Sequence, residues 1–190
     1  MFKDYKRMVL LDTETSGLSC ETNEILELGA IILTKPEGSD KFSERKEIQV
    51  LVENDNPITN SHIHGITEEM CKEEGLTKQA FFELMKTFIG DYKDTLVIAY
   101  NTPFDMRFIK AFMRQMDKDY IITNPTLDLL EVAKDRTGLS RGNRLCDMLI
   151  RYEIKEEENS HRALEDIKAT LAVMRKMWVE KNDLESYIRR

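Results

Sequence analysis

The chain has 190 residues, 41% of them apolar and 33% charged, with a net charge of −7. That length suits one domain spanning 1–190. No apolar run reaches the roughly 20 residues that cross a bilayer, which excludes a membrane-spanning protein. The acidic balance excludes a protein that coats nucleic acid through bulk positive charge, but not an enzyme that handles it locally.

Cys20, Cys71 and Cys146 are odd in number and far apart, so reduced thiols are expected rather than a disulfide framework or a zinc site. The charged residues 1–7 lead into a short apolar stretch unlike a secretory signal, and the cytoplasm is the expected compartment.

In chain order, the first signal is Val9-Leu10-Leu11-Asp12-Thr13-Glu14-Thr15, an apolar run ending in two acids. As a buried strand it places Asp12 and Glu14 on one face at its C-terminal end, because alternate residues share a face. Two adjacent carboxylates repel unless one takes a proton or a cation bridges them. Ser16-Gly17-Leu18-Ser19 carries turn chemistry, 24–33 returns as a second strand and 47–52 forms a third. The chain therefore starts as a largely antiparallel meander. Residues 54–75 read as loop-rich, with His62-Ile63-His64-Gly65 and a short helix capped by Thr67. The His-x-His pair has no companions at zinc spacing and is not taken as a metal site. Thr77 caps a helix with Ala80, Phe81, Leu84, Met85, Phe88 and Ile89 on its core stripe and Gly90 as its stop.

Residues 95–99 form a fourth strand that runs into Tyr100-Asn101-Thr102-Pro103-Phe104-Asp105. Thr102 fits the cap and Pro103 the first helical position, which puts Asp105 in the first turn of a helix carrying Phe108, Phe112 and Met116. The helix dipole alone suffices to explain an acid there. Tyr120-Ile121-Ile122 reads as a short fifth strand, followed by helices over about 126–136 and 143–152. Within them Lys134, Arg136, Arg141, Arg144 and Arg151 face only Asp135 and Asp147, which fits a phosphate-binding edge or a solvated helix face. The glutamates at 156–158 form a loop before Asn159-Ser160-His161. Ser160 caps a long helix to Val179, with Ala163, Leu164, Ile167, Leu171 and Met174 on one face, and a short terminal helix follows.

Asp12-x-Glu14, then Asn101-x-x-Phe104-Asp105, then His161-x-Ala163-x-x-Asp166 is far more specific as an ordered set than any of its parts. It resembles the three motifs of the DEDDh family of 3′-to-5′ exonucleases. The similarity is greatest to the proofreading epsilon subunit of bacterial DNA polymerase III and to the exonuclease domain of PolC-type polymerases, and it spans about 9–174. The resemblance implies an α/β, ribonuclease-H-like fold with a mixed five-stranded sheet flanked by helices. It implies that Asp12, Glu14, Asp105 and Asp166 hold metal and that His161 is the general base. Thr13, Thr15, Leu18, Ile63, His64, Asn101 and Phe104 fall where the family's loops hold the terminal nucleotide. Tyr100 departs from the usual His and Ile167 from the usual small residue, which bears on substrate preference rather than on any catalytic group.

Four clustered carboxylates offer hard oxygen ligands that suit two Mg²⁺ or Mn²⁺ ions. The expected substrate is the 3′ end of single-stranded or frayed DNA, with a DNA polymerase subunit as a possible partner. The alternatives are an RNA-trimming exoribonuclease resembling ribonuclease T or oligoribonuclease, and a non-catalytic nucleic-acid-binding module.

Overall fold

A computed structural model describes residues 2–89, 93–155 and 162–190. Five strands, β1 (Arg7–Thr15), β2 (Ile25–Thr34), β3 (Glu44–Leu51), β4 (Thr95–Ala99) and β5 (Thr126–Asp128), form one sheet. Their order across it is β3-β2-β1-β4-β5. The first three pair antiparallel, as the meander reading expects, and β4 and β5 then add in parallel, which gives the mixed sheet expected from the sequence. The helices are α1 (Ser61–His64), α2 (Glu68–Glu74), α3 (Lys78–Ile89), α4 (Thr102–Met116), α5 (Leu129–Thr137), α6 (Leu145–Arg151) and α7 (Ala163–Glu180), before a 3₁₀ turn at Leu184–Tyr187. Among the described residues no helix is long and apolar enough to cross a membrane.

The two faces of β1 decide where everything else packs. Its odd residues Val9 and Leu11 join Leu28, Ala30 and Ile32 of β2 in one core with Phe81, Met85 and Phe88 of α3 and Phe108, Ile109 and Met113 of α4. Its even residues Met8 and Leu10 join Ile31 and Leu33 in a second core under Val132 of α5, Leu149 of α6 and Ile167, Leu171 and Met174 of α7. Helices thus cover both faces of a strand whose apolar run needs two buried sides. Beyond Leu11 the same alternation sends Asp12 and Glu14 toward the α7 side and Thr13 toward the α4 side.

Several boundaries differ from expectation. The fifth strand is Thr126–Asp128, not 120–122. Ile122 is buried in a connecting segment while Ile121 is 69% exposed, so the apolar pair has a burial reason without a strand partner. The helix placed at 126 begins only at Leu129, because Asp128 ends β5 and caps α5 by accepting from the Leu130 N–H at 3.1 Å. Thr102 is the first helical residue of α4 rather than its cap. Its hydroxyl donates to the carbonyls of Ala99 (3.1 Å) and Leu127 (2.8 Å), and Asn101 takes the cap position with φ +73°. Three of the five basic residues of that stretch are in ion pairs: Arg136 with Asp183 and Asp135, Arg144 with Asp147, and Arg151 with Glu180. That does not favour an open phosphate edge. The expected Gly90 stop, the 156–158 loop, the Ser160 cap and His161 lie outside the described residues.

Candidate active site

The end of β1 gathers the acids. Carboxylate oxygens of Asp12, Glu14 and Asp166 lie within 4.8 Å of one another, all three side chains half-buried. Strand alternation delivers the first two, and the first turn of α7 delivers the third. Asp105 arrives from the opposite face of the sheet. It sits 2% exposed in the first turn of α4, and its Oδ1 accepts from both the N–H (3.0 Å) and the hydroxyl (2.9 Å) of Thr13. One strand therefore supplies two acids to one side and orients a third from the other.

So many carboxylates together resist ionisation. Burial, then the charges of Asp105, Glu14, Asp166 and Glu27, hold Asp12 well above the usual carboxylate range. Glu14 is pushed up to about 7 by burial and by Asp166 and Glu27, with Arg162 opposing. Asp105 is raised by burial against the pull of its Thr13 hydrogen bonds. A bound cation would relieve this repulsion. Its donor set, carboxylate oxygens only, fits a hard divalent ion.

A fifth acid escaped the motif reading. Glu27 pairs across the sheet with Glu14 and is fully buried. Its carboxylate accepts from Gln49 Nε2 (3.0 Å), from Arg162 Nε (3.0 Å to one oxygen, 3.2 Å to the other) and from the Ala163 N–H (3.1 Å). An acid inside the apolar run Ile25-Leu26-Glu27-Leu28 was the signal available in the sequence, since a buried charge requires a partner.

Of the residues expected to hold a nucleotide, Leu18, Ile63 and Asn101 are exposed and would form the rim of the site, whereas Thr13, Thr15 and His64 are buried. Leu18 is 79% and Ile63 60% exposed, two large apolar side chains presented to solvent. Both are braced. Asn60 donates to the Thr15 carbonyl at 2.9 Å, tying the Ile63 segment to the end of β1. Arg107 Nη2 donates to the Leu18 carbonyl at 2.8 Å while its guanidinium carbon lies 4.7 Å from the centre of the Phe104 ring. Arg107 and Asn60 were not singled out in the sequence, because their partners are far away in the chain.

His64 is 4% exposed. Its Nδ1 accepts from the Ile66 N–H at 3.1 Å, its buried Nε2 has no hydrogen-bond partner among the described residues, and burial lowers its pKa. A neutral ring is thereby favoured. Asn101, exposed, gives its N–H to Asp128 at 2.9 Å. The hydroxyls of Thr13 and Thr15 are engaged inside the protein, with Asp105 and the Gly17 carbonyl respectively, so each shapes its surroundings through an internal bond. Tyr100, the departure from the family pattern, donates its hydroxyl to the Asn143 carbonyl ahead of α6.

Comparison with known proteins agrees with this geometry. A family model described as an exonuclease, RNase_T, matches residues 9–174. The PolC-type DNA polymerase III of Halalkalibacterium halodurans is 32% identical over 164 residues, which cover 85% of this chain and 11% of that protein. The epsilon subunit of DNA polymerase III of Buchnera aphidicola subsp. Schizaphis graminum is 30% identical over 167 residues, covering 84% of this chain and 67% of the subunit. The chain thus spans about a tenth of the length of its PolC-type relatives. In three dimensions it is similar to the nuclease domain of 3′hExo, a DEDDh family member bound to rAMP, with a TM-score of 0.71 at 14% identity over 93% of this chain and 94% of that one. With its acids in motif order at the end of a central strand, the chain belongs to the RNase_T exonuclease family.

Proposed function

We propose that this exonuclease uses two divalent ions, Mg²⁺ or Mn²⁺, to hydrolyse single-stranded or frayed DNA from its 3′ end, releasing nucleoside 5′-monophosphates. The observation that carries the reading is the convergence of Asp12, Glu14 and Asp166 within 4.8 Å, with Asp105 held by Thr13 of the same strand and its charge acting on Asp12. In this reading those four acids hold the ions. When bound, the ions make water a stronger nucleophile and take up the charge of the leaving 3′ oxygen. His161 accepts the proton of the attacking water, a role that rests on its place in the third motif.

Leu18, Ile63 and Phe104 hold the last base by apolar contact and stacking, with His64 and Asn101 beside them, so the scissile phosphodiester is the terminal one. A paired end must first unstack, which favours mismatched and single-stranded ends. The DNA preference rests on relatives at 30% identity or more that are named as DNA polymerase III components. Those names also support a polymerase partner. RNA trimming is the second reading, favoured by the rAMP in the 3′hExo structure.

The test is incubation of matched DNA and RNA oligomers, 5′-labelled or 3′-labelled, with Mg²⁺, with Mn²⁺ and with EDTA. The expected result is a ladder shortening from the 3′ end, mononucleotides from the first turnover, DNA cut faster than RNA, and silence in EDTA. Efficient cleavage of a covalently closed single-stranded circle would overturn the reading, because a circle has no end to hold.

A further inference from the structure

We propose that Glu27 and Arg162 are positioning residues for hydrolysis, a clamp that sets the start of α7 and through it the place of Asp166. It rests on the exonuclease reading above for its role in turnover.

The clamp is visible from both of its sides. Arg162 immediately precedes α7 and Ala163 is its first residue, and both donate to the Glu27 carboxylate, while Gln49 of β3 holds that carboxylate from behind. Asp166 lies one turn further along the same helix. The sheet beneath is shaped to receive that turn. Gly29 pairs with Asp12 as Glu27 pairs with Glu14, and a Cβ at Gly29 would lie 2.6 Å from the Ala163 carbonyl carbon and 2.7 Å from the Leu164 nitrogen. The helix backbone therefore rests on β2 at one point and is fastened to it by a carboxylate two residues away. Asp12 and Glu14 ride on β1, the adjacent strand. Fixing α7 to β2 thus fixes the third carboxylate relative to the first two. A metal site works only at the separation its ion demands, and long side chains left unheld do not keep such a separation.

Glu27 adds a negative charge next to a site that already repels itself. A purely electrostatic role and a positioning role therefore make opposite predictions for Arg162. Arg162→Met removes a positive charge near the acids, so electrostatics alone would tighten a divalent cation, whereas loss of the clamp loosens it.

The experiment is calorimetric titration of the metal-free full chain with Mn²⁺, run on the parent, Arg162→Met, Arg162→Lys, Glu27→Gln and the double variant, alongside steady-state cleavage of a single-stranded oligomer. The expected result is about a tenfold weaker Mn²⁺ affinity in Arg162→Met and in Glu27→Gln, with the double variant little worse than either single one. Turnover number should fall by about 10- to 100-fold with KM nearly unchanged. Arg162→Lys should recover part of both, because it restores the charge without the two-pronged geometry. Unchanged or tighter Mn²⁺ binding in Arg162→Met with a native circular dichroism spectrum overturns the clamp. A rise in KM at constant turnover also overturns it, by making Arg162 a substrate contact. Should Glu27→Gln fail to fold, the Arg162 arm decides alone, since that side chain is 40% exposed. The Mn²⁺ arm reads the clamp whether or not the parent cuts nucleic acid, so failure of the exonuclease reading shows separately as an inactive parent.

Discussion

The floor of the site and its rim are built on opposite principles. The acids of the floor stand on a strand end and two helix starts, half-buried or wholly so, each fixed by the element that carries it. The apolar side chains of the rim sit exposed, Leu18 on the β1–β2 connection and Ile63 on the single-turn helix α1, and hydrogen bonds from Arg107 and Asn60 help to hold those segments down. The floor concentrates charge against its own repulsion and needs rigid support. On the proposed reading the rim receives a polymer end and tolerates being tethered. Damage to the floor should therefore act on turnover, and damage to the rim on substrate affinity.

The sharpest division comes from Asp12→Asn. Turnover should fall by more than the roughly 100-fold that losing a hydrogen-bond partner of a metal ligand costs, while KM holds. The metal-free variant should melt higher than the parent, because the substitution relieves the charges pressing on Asp12. About 1 kcal/mol of relief corresponds to roughly 2–4 °C in a chain of this size. A variant that is unfolded by circular dichroism would make Asp12 structural instead. His161→Ala comes next, at about 10²–10⁴-fold in turnover with Mn²⁺ affinity nearly unchanged. The pH–rate profile checks it, since the parent should lose activity on imidazole protonation and the variant should lack that limb.

Smaller, and read without any substrate, is the pH dependence of stability. Glu14, held near 7 in the folded chain against an ordinary 4.5, binds its proton more tightly there than in the unfolded chain. Asp105 is raised in the same direction. The metal-free protein should accordingly be most stable below about pH 4.5 as far as these groups are concerned, and lose that contribution as pH rises through about 7. Saturating Mg²⁺ should remove the loss by binding the ionised forms, with the melting-temperature gain growing with pH. A gain that is flat across pH 5–8 would assign the cation to another place.

The smallest effect belongs to the rim. Arg107→Ala loses the hydrogen bond to Leu18 and the contacts with the Phe104 and Phe108 rings, together about 1–2 kcal/mol, which should raise KM roughly five- to thirtyfold at unchanged turnover number. A fall in turnover instead would place Arg107 with the floor.

The sequence made the floor's acids legible because alternation and motif order survive without knowledge of any partner. Four of the five strands were visible for a similar reason: strands of five residues or more leave an apolar run or, in β3, a partial alternation. β5 did not, being three residues long with its last one, Asp128, also a helix cap. The Tyr120-Ile121-Ile122 run misled because burial of Ile122 alone satisfies it. The basic stretch was opaque in another way, since the acids that hold Arg136 and Arg151 stand at 180 and 183, on and just past α7. The clamp between Glu27 and Arg162 joins residues 135 positions apart, so the acid inside the β2 run hints that a partner exists but not which residue it is.

The placement of β1 between β2 and β4 also has a consequence for the chain as it is being made. β2 follows β1 closely and can zip onto it at once, whereas the other edge of β1 waits for Thr95 to pair with Arg7 and Ile98 with Leu10. A nascent chain therefore holds a three-stranded meander with an open edge at Met8, Val9 and Leu10, and apolar faces still without α3, α4 or α7 to cover them. Parallel pairing over so long a loop is slow, and this window is when sticking to a neighbour competes with folding. Asp166 is the last of the four motif acids, so the proposed set is complete only once most of the chain has been made.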